Sequence, residues 1–73
     1  MHVDIDAEMQ AALRDNDHVK CVRLYMQAAT AAEAADNEDE ACFFLTQAWI
    51  LSLQFNLPEH SDLQARLLAY GRL

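Results

Sequence analysis

The chain has 73 residues, more than half of them hydrophobic, and carries twelve acidic against five basic side chains for a formal charge of −7. A chain of this length buries only about 60% of its unfolded surface and holds one core, so a single domain over residues 1–73 is expected. The charge opposes phosphate backbones and anionic lipid heads, and Arg14, Lys20, Arg23, Arg66 and Arg72 form no basic run, which excludes nucleic acid as a partner and makes any charge-guided partner basic.

With one proline, one glycine, few β-branched residues and abundant alanine, the pattern is helical throughout. The expected fold is all-α, a small antiparallel bundle of about four helices. The first helix runs from about Asp4 or Asp6 to Arg14, with an early aspartate as cap and an apolar stripe of Ile5, Met9, Ala12 and Leu13. Asp15-Asn16-Asp17 ends it, and Asp17 suits the cap of the next helix.

The second helix, about His18 to Ala35, sets Val22, Tyr25, Ala29 and Ala32 on one face with Cys21 and Ala28 beside them. Its C-terminal half is nearly all alanine, which lets a neighbour approach closely and obliges that neighbour to supply the bulk. The third helix, about Glu38 to Phe55, does so after an acidic first turn that suits a positive helix start. Ala41, Phe44, Leu45, Ala48 and Leu51 form its broad face, whereas Phe43 and Ile50, seven apart, point the other way. Asn56-Leu57-Pro58 closes it. A last helix, about Glu59 to Tyr70, turns Leu63, Leu67 and Tyr70 inward and stops at Gly71. If that helix does not cover Phe43 and Ile50, they form an exposed binding or dimer patch.

Two stretches twenty residues apart echo one another. Asn16-Asp17 precedes Cys21, Tyr25, Gln27 and Ala28; Asp36-Asn37 precedes Ala41, Leu45, Gln47 and Ala48. The stretch from Val22 to Phe55 resembles a single degenerate tetratricopeptide repeat. Tyr25 stands at the first aromatic position, Ala28 and Ala29 at the Leu-Gly pair, Asp36-Asn37 at the turn, and Ala41, Leu45 and Ala48 at the small, bulky and small positions. Ala32 and Leu45 replace aromatics of the pattern, and Pro58 comes about five residues late. The resemblance implies a central helical hairpin and a noncatalytic module that binds proteins or peptides.

Chemistry-bearing constellations are few. His2, His18 and His60 lie near expected helix starts or the terminus, and Cys21 and Cys42 match no CxxC spacing and read as buried thiols. His18, Cys21 and Cys42 would supply three soft ligands, but a structural zinc site needs four. The acidic clusters lack the glycine and terminal glutamate of a calcium loop, and a chain whose only glycine is Gly71 has no phosphate loop. Neither a catalytic site nor a cofactor or metal is therefore expected. Met-His-Val-Asp-Ile-Asp does not resemble a secretory leader, and no apolar run approaches the ~20 residues that span a bilayer, so a cytoplasmic location is expected.

The leading reading is a noncatalytic adaptor or regulatory module that binds a partner protein, or a second copy in a homodimer, through apolar surface of the third and fourth helices. Phe43, Trp49, Ile50 and Tyr70 are its candidate contact residues. The alternative is a small-molecule- or metal-binding regulator with a pocket between the second and third helices, lined by His18, Cys21 and Cys42.

Overall fold

A computed structural model describes residues 5–73, with side chains from Ala7 onward. The expected aspartate cap at Asp4 or Asp6 and the side chain of Ile5 lie outside the described residues. Four helices follow one another: α1 (Ile5–Arg14), α2 (His18–Ala34), α3 (Glu38–Gln54) and α4 (His60–Ala69). Among the described residues no strand occurs, and the fold is a small all-α bundle.

The boundaries follow from local chemistry. Asp17 accepts the Lys20 amide at 3.1 Å and Asn37 accepts the Glu40 amide at 3.2 Å, which satisfies an otherwise free amide at the starts of α2 and α3. The Asn37 side-chain amide also donates to the Glu40 carboxylate at 2.7 Å, a side-chain contact that holds the cap in place. The acidic first turn of α3 lies at the positive end of the helix dipole.

All four helices end alike. Asn16, Asp36 and Asn56 adopt φ of 56° and Gly71 φ of 72°, the left-handed geometry that reverses the chain. The next residue's amide then reaches five positions back: Asp17 to Ala12 and Asn37 to Ala32 at 2.9 Å, Leu57 to Ser52 at 2.7 Å, and Arg72 to Leu67 at 2.9 Å. Asparagine and aspartate tolerate this conformation, which costs most other residues roughly 1–2 kcal/mol. The twenty-residue echo thus recurs a third time at Ser52 and Asn56. It is concealed in the sequence because Leu57-Pro58 replaces the capping residue there and Glu59 makes no side-chain cap.

The helices pack in chain order, α1 on α2, α2 on α3 and α3 on α4, as a slab of 33 × 31 × 14 Å. Val22 and Ala29 of α2, Leu45 and Ala48 of α3, and Leu63 and Leu67 of α4 form the main buried cluster. Ala12, Cys21 and Leu24 form a second beneath α1, and half-buried Leu51 touches both. The buried apolar side chains among the described residues are five alanines and two cysteines against four leucines and one valine. Such a core gains closeness rather than bulk, since fully burying a leucine is worth about 1.5–3 kcal/mol and an alanine far less.

Two expectations need correction. Leu13 does not join the α1 stripe but is 55% exposed, because Met9 and Ala12 already face α2 and the next residue turns about 100° away. Leu24, which the apolar face of α2 omitted, is buried under α1.

Replacing Asp36 with valine forces a β-branched residue into the left-handed turn and is expected to lower stability by about 1–2 kcal/mol. Asp36→Gly should stay within about 0.5 kcal/mol of the native chain. Urea unfolding followed by helical circular dichroism checks both; equal stabilities would show that the turn tolerates any residue.

Candidate interaction surface

A helix that is apolar nearly all round needs cover on several sides, and α3 has cover on two. Ala41, Leu45, Ala48 and Ser52 are buried, Leu45 and Ala48 in the cluster shared with α2 and α4. The remaining side faces solvent. Phe43 is 57% exposed and Ile50 48%, with Leu53 at 47%, so α4 does not cover them. Phe43 and Ile50 share one face about two turns, roughly 10 Å, apart, with half-buried Gln47 between them. Phe43 meets Phe44 edge-on at a centroid distance of 5.5 Å. Beside it lies a dip of about 360 Å³ lined by Asp39, Cys42, Phe43, Thr46, Gln47 and Arg72.

Trp49 and Tyr70, the other two candidates, are half-buried against the main cluster. The indole Nε1 of Trp49 is buried with no hydrogen-bond partner among the described residues, as are Oε2 of Glu59 and Nδ1 of His60. Tyr70 has a structural task. Its hydroxyl donates to Glu33 Oε2, while the Arg66 guanidinium donates to Glu33 Oε1 at 2.6 Å, so one carboxylate at the end of α2 ties down α4. Arg72 continues the attachment, 2.7 Å from Asp39 and 3.5 Å from Glu38.

These bonds set the titration of the pair. The Tyr70 hydrogen bond, and after it the Arg66 charge, hold the Glu33 carboxyl below its ordinary value against the opposing effect of burial. The same hydrogen bond, then burial, raises the Tyr70 phenol above its own.

The four residues therefore do not form one continuous patch of equal character. Phe43 and Ile50 make an open apolar stripe on α3. Trp49 and Tyr70 pack against the main cluster and leave part of their surface to solvent.

The constellation of His18, Cys21 and Cys42 is dispersed. The His18 ring stacks on Phe55 with centroids 3.5 Å apart, Cys21 is buried with Ala12 and Leu24, and Cys42 lies at the dip beside Arg72. Burial, and next the charge of Asp17, raises the Cys21 thiol above its ordinary value, which favours the inert form. Among the described residues no three His, Cys, Asp or Glu side chains converge as a metal site.

A second feature escaped the sequence pattern. A groove of about 520 Å³ runs along α2, with Ala28, Ala31, Ala32 and Ala35 as its floor. Met9 of α1, Tyr25 of α2 and Phe44 of α3 form its walls, and Glu40 stands at its rim. Tyr25 and Phe44 lie 6.3 Å apart between ring centroids. Among the described residues α1 has ten residues and α2 seventeen, about 15 Å against 25 Å, so the described part of α1 is shorter than the helix on which it packs. That difference in length was the available signal.

No protein-family model, no curated protein and no solved structure matches the chain. None of the helices among the described residues is long and apolar enough to cross a membrane.

The Glu33 pair predicts a pH dependence at both limits. A depressed carboxyl contributes stability that is present above the unfolded value of about 4.3 and lost as pH falls through the folded value. A raised phenol contributes stability that is complete below about 10 and lost as pH rises through its folded value. Thermal midpoints measured across the acid and alkaline limits should fall less steeply at low pH in Glu33→Gln and at both limits in Tyr70→Phe. Profiles parallel to the native one would show that the bond forms no part of the fold's stability.

Proposed function

We propose that this chain is a noncatalytic protein-interaction module, an adaptor or regulatory subunit, that binds a partner protein or a second copy through apolar surface of α3 and α4. The observation that carries the proposal is the exposure of Phe43 and Ile50 on a helix already covered on two sides. Single exposed apolar side chains such as Leu13 and Leu68 are ordinary, whereas Phe43 and Ile50 share one helix face and make a contiguous patch of the kind that marks an interaction site. Half-buried Trp49 and Tyr70 add partly exposed aromatic surface to it.

The acidic balance favours a basic partner, since complementary charge speeds encounter and rejects like-charged competitors. The resemblance of Val22–Phe55 to a tetratricopeptide repeat supports the same class of function. A cytoplasmic setting agrees with two dispersed thiols that are free and buried.

The test is affinity capture from the source cell with the native chain and the Phe43→Asp, Ile50→Asp double variant in parallel, with sedimentation of each alone. Because both positions are exposed, the variant should keep its helical spectrum and most of its stability. Loss of one specific partner, or of a dimer, is expected. Retention of every partner together with unchanged sedimentation would sink this surface.

A further inference from the structure

The alanine-floored groove on α2 shares no lining residue with the Phe43–Ile50 stripe. We infer that it takes an amphipathic helix of a partner protein whose apolar stripe is flanked by lysine or arginine.

The floor selects the shape of the occupant. Ala28, Ala32 and Ala35 follow one another at helical spacing along about 10 Å of α2, so a second helix axis can approach to roughly 8 Å. The walls supply Met9, Tyr25 and Phe44 for its apolar side chains. An extended peptide would fit poorly. Its backbone amides and carbonyls would enter a groove lined mainly by alanine, methionine and aromatic side chains, where unpaired polar atoms are costly, whereas a helix satisfies its own.

Charge selects the chemistry. Glu40 stands at the rim, and exposed Asp36 lies at the adjoining α2–α3 turn. The cations nearest that end have other duties, Arg66 with Glu33 and Arg72 with Glu38 and Asp39. Arg14, Lys20 and Arg23 lie around the α1–α2 turn, at the opposite end of α2. This chain's five basic residues are spread along it and form no basic face to meet that rim, so the occupant is a basic helix from a different protein.

The experiment titrates the isotopically labelled full chain with two synthetic helical peptides of about 15 residues that share a leucine stripe, one otherwise of lysine and one of glutamate. The lysine peptide should shift the resonances of Ala28, Ala31, Ala35 and Phe44, and added salt should weaken it. Ala31→Arg, which blocks the floor at an exposed position, should weaken binding by roughly tenfold or more, Glu40→Gln by about two- to fivefold, and Ile50→Asp by less than about twofold. A helical spectrum retained by each variant separates blocked binding from lost folding. Shifts confined to Phe43, Ile50 and Leu53, equal binding of the two peptides, or Ala31→Arg binding as the native chain does would each overturn the inference. The first of these would leave the α3 surface standing.

Discussion

The close approach of α2 and α3 is the constraint from which the rest of the molecule follows. Ala29 and Ala32 on one helix and Ala41 and Ala48 on the other are buried, so little side-chain volume stands between the two backbones. Leu45 can then sit fully buried among Val22, Leu63 and Leu67, and one leucine serves three helices. A bulkier pair in place of Ala29 and Ala48 would push the axes apart and open the place that Leu45 fills. The economy has a corollary. Helices this close leave room on the α2 side for few large side chains beyond Leu45 and Phe44, and Phe43, Ile50 and Leu53 end on the solvent face.

Much of this was legible in the sequence because it depends on neighbours three, four and seven residues apart. The four helices, the caps at Asp17 and Asn37 and the buried positions Val22, Ala29, Ala41, Leu45, Ala48, Leu63 and Leu67 follow from periodicity and from the short polar side chains between segments. The exceptions have a shared cause. Whether α4 covers Phe43 and Ile50 depends on the direction in which α4 leaves the turn at Asn56, and no local pattern encodes that direction. Leu13 and Leu24 exchange the burial that their composition suggests for the same reason, since the placement of α1 decides it.

The candidate surface was legible as a mismatch before it was visible as a place. Phe43 and Ile50 fall off the face that pairs with α2, and the wheel alone shows this. The wheel does not show that Tyr70 engages Glu33, a residue 37 positions away, or that Trp49 packs against the main cluster with its Nε1 buried. The groove over Ala28 and Ala35 was less accessible still. Its signal was the difference in length between the described α1 and α2, not any pattern among the alanines.

Packing strictly in chain order also bears on how the chain reaches its fold. Each helix meets the one before it across a turn of a few residues, so most of the structure assembles through short loops whose closure costs little entropy. Chains built this way have low contact order and fold in microseconds to milliseconds. The bonds from Glu33 to Arg66 and Tyr70 are different, because they close loops of 33 and 37 residues and only form after α3 has brought α4 back. Local contacts across short turns therefore dominate the fold, and the bonds that fasten the last helix are among those of longest reach.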